Sequence, residues 1–193
     1  MRLSRRSFVA GSLIMTAIDD PVRAAGAGPV SLTYTAGRLT WPGGETRAAC
    51  GRGGVRADKR EGDGASPEGT FPLLHGFYRA DRIGRPASGL VMTALRPDDG
   101  WVDEPADPNY NRPVKLPYPA SHEEMWLSDG VYDLVVVIGY NTAPVVPGRG
   151  SAIFLHVART DFVPTAGCIA IEREVLAGLL GLLGPGSAIT IRA

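Results

Sequence analysis

The sequence predicts a mainly β domain with a single helix in its C-terminal half, and three observations carry that prediction. Glycine and proline are abundant, 25 and 16 of 193 residues, which favours many short strands and turns over a helical bundle. Several apolar segments have strand length or alternate with period two. One segment, residues 172–183, carries an apolar face at helical spacing.

The elements follow in chain order. Residues 30–34 and 38–41 alternate and enclose Ala36-Gly37, which predicts a first hairpin. Residues 46–50 predict another short strand, followed by a Gly51-Arg52-Gly53-Gly54 loop. Residues 56–69 are charged and rich in Gly, Asp, Ser and Pro, which predicts an exposed turn region. Residues 70–79 return as strand. Residues 96–123, with repeated prolines, predict a long irregular section, a type of loop that is often functional. Its aromatics Trp101, Tyr110 and Tyr118 either wall a cleft or pin the loop to the core.

Residues 133–139 are an unbroken Val/Ile-rich run, so they predict a strand buried on both faces. Residues 151–157 predict a second central strand and residues 168–171 a short third. In the predicted helix, Val175, Leu176, Leu179, Leu180, Leu182 and Leu183 form the apolar face. Glu172 and Glu174 suit the positive end of its dipole, and Gly184-Pro185 stops it. Residues 187–192 close the domain as a last strand.

Charge is balanced, with 20 basic and 20 acidic side chains, and no clustered basic face points to nucleic acid. The N-terminus reads as an export signal rather than as fold. Arg2, Arg5 and Arg6 precede an apolar stretch, residues 8–18, that is too short to span a bilayer. Ala25-Gly26-Ala27 offers small residues for cleavage, and Ser4-Arg5-Arg6-Ser7-Phe8 is similar to a twin-arginine signal. The expectation is therefore a cleaved segment 1–27 and a periplasmic domain, residues 28–193, without a membrane span. In an oxidising compartment, two cysteines most simply form a disulfide, here Cys50–Cys168.

A second reading of Cys168 comes from its neighbourhood. His156 ends an apolar strand, and Cys168 follows twelve residues later within Thr165-Ala166-Gly167-Cys168-Ile169-Ala170. A strand, a polar loop and a short return strand bring two such side chains together. Imidazole beside thiol favours thiolate at neutral pH. Backbone N–H groups at Gly167 and Cys168 suit an oxyanion hole. Taken alone, the residues leave packing open for both: a core histidine with a satisfied ring, and a small buried cysteine. No pair of candidate ligands has structural-zinc spacing, so neither a metal nor a cofactor is expected.

These residues resemble the signature of the YkuD-type L,D-transpeptidases: a His, a spacer, then Ser or Thr, any residue, Gly-Cys and an aliphatic residue. The resemblance extends to Gly62-Asp63-Gly64-Ala65-Ser66-Pro67-Glu68-Gly69-Thr70-Phe71-Pro72, similar to the family's strand entry. Residues 107–112, 135–141 and 148–156 resemble a proteobacterial subgroup, so the likeness runs from about Thr46 to Ile191. Two departures stand out: Ala166 replaces a His common before Gly-Cys, and Ala170 replaces a common Arg that holds a substrate carboxylate.

The resemblance implies a β-sandwich of two mixed sheets with one helix packed at its side. It implies Cys168 as nucleophile, His156 as base, and a backbone carbonyl just after His156 orienting the ring. It implies peptidoglycan stem peptides as donor and acceptor, with release of D-alanine and formation of 3–3 or 1–3 cross-links. Hydrolysis by water and attachment to a protein lysine are alternatives on the same fold, and carbapenems are expected covalent inhibitors. With no Arg at position 170, another cation must hold the donor carboxylate. Arg149 is the first candidate, since its Gly-Arg-Gly-Ser segment leads into the histidine strand, with Arg159 and Arg52 behind it. Ser151, Thr165, Tyr140 and Asn141 complete the expected binding residues. A different class, a non-catalytic wall-binding module held by a Cys50–Cys168 disulfide, would need both thiols oxidised.

Overall fold

The computed structural model describes residues 28–193; the segment read as an export signal, residues 1–27, lies outside them. The strands are β1 (Ser31–Thr35), β2 (Arg38–Trp41), β3 (Gly44–Arg47), β4 (Val55–Arg56), β5 (Ser66–Pro67), β6 (Gly69–Tyr78), β7 (Met92–Ala94), β8 (Asp99–Val102), β9 (Pro113–Lys115), β10 (His122–Glu124), β11 (Leu134–Ile138), β12 (Phe154–Val157), β13 (Ile169–Ile171) and β14 (Ala188–Ile191). The helix is α1 (Arg173–Leu180). The fold is mainly β with one helix and mixed sheets, as the sequence predicts.

Two sheet halves share the long strand β6. Its first residues, Gly69 to Pro72, pair with β14, which continues through β1 and β2 to β3. Its remainder pairs with β11 and β7, and β11 continues through β12 to β13. Antiparallel neighbours dominate, with parallel pairs at β1–β14, β6–β7 and β12–β13.

Strand β11 separates two apolar clusters, which explains its unbroken apolar run. Leu134, Val136 and Ile138 face a core with Leu32, Leu39 and Ile189 from the other half and Leu176, Leu179 and Leu180 from α1. Val135 and Val137 face the opposite side, where Phe154, Trp101, Met125, Tyr132 and Cys168 pack. Just before β11, the fully buried Asp133 accepts from Arg82 at 2.9 Å and pairs with Arg173 at the start of α1. The helix is thereby fixed to the sheet that carries the site.

Several boundaries or environments differ from the sequence reading, among them the strand expected at 151–157, which begins only at Phe154. Residues 96–123 are only partly irregular: within them β8 pairs with β9 and β10 in a three-stranded sheet, and long turns join the strands. These strands are three or four residues long and carry charge and proline, so no alternation marks them. Trp101 and Tyr110 are buried pins, whereas Tyr118 is only partly covered. Residues 56–69 are not uniformly exposed: Lys59, Ala65 and Ser66 are buried. The strand expected at 46–50 ends at Arg47, and Ala49 makes only an isolated bridge to Ala170. Helix α1 stops at Leu180 rather than Leu183. Gly178 and Gly181 weaken its last turn, which tightens through N–H bonds from Gly181 to Gly178 O and from Leu182 to Leu179 O.

Candidate active site

Strand β12 carries His156 and pairs with β13 in parallel, His156 opposite Ala170. Cys168 is the residue just before β13, so the parallel pairing sets thiol and imidazole on neighbouring strands. Both are buried, at 7% and 6% exposure, and both line one cavity of about 280 Å³. Gly167, before the cysteine, has φ +146°, and a Cβ there would meet Ala65 O at 2.8 Å, so only glycine fits. The fully buried Ser66 hydroxyl donates to Gly167 O at 2.7 Å and accepts from Gly51 N–H at 2.9 Å. Thr165 closes the turn: its hydroxyl donates to Cys168 O at 2.7 Å and accepts from Gly167 N–H at 3.1 Å.

Two hydrogen bonds fix the sulfur. Phe154 N–H donates to Cys168 Sγ at 3.3 Å, and the thiol donates to Ala152 O at 3.2 Å. Ala152 has a positive φ of 50°, an uncommon conformation for a non-glycine residue. It is stabilised by Asn111, whose Oδ1 accepts from Ala152 N–H at 3.0 Å and from Trp101 Nε1–H at 2.9 Å. The histidine ring is fixed separately. His156 Nδ1 lies 2.9 Å from Val157 O. Hydrogen-bonding to that carbonyl puts the proton on Nδ1 and leaves Nε2 as the basic nitrogen. Tyr132 stands edge-on to the imidazole with ring centroids 5.3 Å apart.

Electrostatics favour neutral partners at rest. Burial pushes the Cys168 thiol well up, with the Glu123 charge adding to it and the Phe154 N–H and Lys59 opposing it. Burial pushes His156 down to about 4, and Arg159 adds to that shift. Both shifts favour the neutral thiol and neutral imidazole over the thiolate–imidazolium pair that the sequence suggests. For Cys168 to act as a nucleophile from that state, its proton would have to pass to a base such as His156 Nε2.

Sequence reasoning missed three carboxylates on the cavity wall: Glu61, Asp103 and Glu123. Glu61 accepts from the Ser151 hydroxyl at 2.7 Å and from the Tyr110 hydroxyl at 2.5 Å. Glu123 accepts from the Tyr132 hydroxyl. It is pushed up to about 7, first by burial and then by Asp103 and Glu61, with the Tyr132 hydroxyl opposing. Each acid belongs to a segment that reads locally as solvated charge.

The expected binding residues divide. Ser151, Thr165 and Arg159 line the cavity with Cys168 and His156. Arg159 is more than half exposed and pairs with Asp129 at 2.8 Å. Arg149, Tyr140 and Asn141 instead line a separate groove with Phe71 and Pro144. Tyr140 donates to Arg149 O, and Asn141 Nδ2 donates to Gly150 O at 2.9 Å. Their observed role is to hold the 146–150 turn. Arg52 is exposed and does not line the cavity, although its backbone N–H donates to Thr165 O at 2.9 Å. Of the two expected oxyanion donors, Gly167 N–H is already taken by Thr165, which leaves Cys168 N–H. Cys50 and Cys168 are both free thiols, so the disulfide reading is not realised in this fold.

A family model described as the L,D-transpeptidase catalytic domain, YkuD, matches residues 30–191. No curated protein and no solved structure matches the chain.

Proposed function

The chain belongs to the YkuD family of L,D-transpeptidase catalytic domains, and from that premise we propose that it transfers peptidoglycan stem peptides through a thioester on Cys168. The observation that carries this reading is the shared cavity: a buried thiol held by Phe154 N–H, beside an imidazole whose Nδ1 is tied to Val157 O. The donor is a tetrapeptide stem. Its diaminopimelate carbonyl is attacked by Cys168 Sγ as His156 Nε2 takes the thiol proton. His156 then gives that proton to the departing D-alanine amine. Cys168 N–H stabilises the tetrahedral oxyanion. A neighbouring stem amine resolves the thioester, giving a 3–3 or a 1–3 cross-link according to which amine attacks.

The same reading places the domain in the periplasm after removal of residues 1–27, and makes Cys168 the site of carbapenem acylation. Among the described residues, no helix is long and apolar enough to cross a membrane. The test is digestion of isolated tetrapeptide muropeptides with residues 28–193, followed by mass analysis. Loss of D-alanine together with dimers supports transpeptidation. Tripeptide alone means carboxypeptidase activity. An unchanged substrate removes the reading.

A further inference from the structure

Resolution of a thioester by an amine poses a proton problem that the Cys168–His156 pair does not solve alone. A primary amine arrives as an ammonium ion. On becoming an amide nitrogen it loses two protons. One ends on the departing sulfur, delivered by His156. The other needs a second base, placed where the ammonium is held.

The cavity has a wall suited to both tasks. Glu61, Asp103 and Glu123 come from the 56–69 loop, the end of β8 and strand β10, and they converge on the space that Cys168 and His156 line. Asp103 supplies an independent sign of a missing partner: its Oδ1 is buried and has no hydrogen-bond donor. Such an orphan acceptor is costly unless a ligand satisfies it. Among the described residues, no three His, Cys, Asp or Glu side chains are grouped to hold a metal ion. An alkylammonium donates several hydrogen bonds, so one can satisfy acceptors supplied by different segments of the wall. Glu123 also accepts from Tyr132, which packs against the His156 ring.

We propose that Glu61, Asp103 and Glu123 form the subsite for the acceptor's primary ammonium, and that Glu123 takes its first proton. This rests on the transpeptidase reading. The Glu123 carboxylate accepts one proton from the ammonium and becomes the acid. The freed amine lone pair forms the N–C bond at the thioester carbonyl, and His156 Nε2 takes the second nitrogen proton. The C–S bond breaks with its electron pair moving to sulfur, which His156 then protonates, and Glu123 returns its proton to solvent. A Glu123 pushed up to about 7 is a stronger base than an ordinary carboxylate.

The experiment separates the two half-reactions. Enzyme is loaded with disaccharide-tetrapeptide and followed by intact mass, then offered a stem tripeptide, which lacks D-alanine and so acts only as acceptor. A parallel arm offers hydroxylamine, which is uncharged at neutral pH. For Glu123→Gln, the ratio of tripeptide aminolysis to loading should fall at least about tenfold, while the ratio with hydroxylamine changes less than about threefold. Asp103→Asn, the second variant, should show the same split to a smaller degree. Unchanged tripeptide aminolysis in both variants overturns the proposal, as does an equal fall with hydroxylamine. A loading defect that disappears when the donor's side-chain amine is acetylated also overturns it, by assigning the subsite to the donor. Failure of the wild type to load removes the transpeptidase reading, and the proposal with it.

Discussion

The Cys168 thiol donates its hydrogen bond to Ala152 O at 3.2 Å and not to the imidazole of His156. Burial first, and then the Glu123 charge, favour the thiol over the thiolate at Cys168. Without substrate, its reaction with a small neutral alkylating reagent should be slow at neutral pH. The rate should keep rising past the ordinary thiol value of 9.0, because only the thiolate reacts. Rates that level off near neutrality would show a preformed ion pair and contradict the neutral resting site.

His156 should matter for the catalysed step far more than for that background alkylation. His156→Gln is expected to slow donor loading by roughly two to four decades, the usual cost of losing a general base. Alkylation should change little, since the resting imidazole does not hold the thiol proton. Equal loss in both assays would mean that the ring supports the cavity rather than moves protons.

The two cysteines should separate cleanly. Cys168→Ala should abolish loading and carbapenem adducts while leaving the thermal transition nearly in place, because an alanine methyl fits the strand start. Cys50, half-buried and bonded only weakly to Gly51 O at 3.6 Å, should tolerate alanine with activity retained. Loss of activity in both variants would point to a bond between the thiols in the working enzyme.

How much of this was legible in the sequence depended on whether the signal was local. The Val/Ile run of β11 showed a strand buried on both faces because each of its faces meets its own apolar cluster. His156 and Cys168 were legible because a short loop joins their strands. The acidic wall was not legible. Glu61, Asp103 and Glu123 stand on three segments distant in sequence, and only pairing of β8 with β10 and closure of the 56–69 loop bring them together. The choice of Arg149 shows the converse error. Its glycine-flanked turn leads into the histidine strand, yet the positive φ of Gly150, 108°, and the Tyr140 and Asn141 hydrogen bonds turn that segment toward another groove.

That placement makes Arg159 the cation to test for donor binding. Arg159→Ala should raise the donor KM by about tenfold with kcat less affected. Arg159→Lys should restore only part of the loss, since the bidentate grip on a carboxylate is gone. Arg149→Ala should change KM less than about threefold. Steady-state kinetics with the disaccharide-tetrapeptide decide this. A larger effect at Arg149 would return the anchor to the outer groove.

Glu123 also leaves a thermodynamic signature that does not depend on activity. Burial raises its folded carboxyl to about 7 from the ordinary 4.5. A raised carboxyl contributes stability that is fully present below the unfolded value and lost as pH rises through the folded one. Above about 7 the wild type therefore carries a buried, ionised Glu123, which is costly. Gln mimics the protonated acid and keeps an oxygen to accept from Tyr132. The stability difference between Glu123→Gln and wild type should be small below 4.5, grow in favour of the variant up to about 7, and then level off. Its height should be no more than roughly 3.5 kcal/mol, because a tenfold change in proton affinity is worth about 1.4 kcal/mol. His156 acts in the opposite sense: lowered to about 4 from the ordinary 6.5, it makes the native state gain stability as pH rises between those two values. That contribution is present in both proteins and cancels in their difference. Urea unfolding at a series of pH values measures it. A difference that stays flat, or that favours the wild type as pH rises, would show that Glu123 is ionised at little cost and would remove the basis for its role as a base.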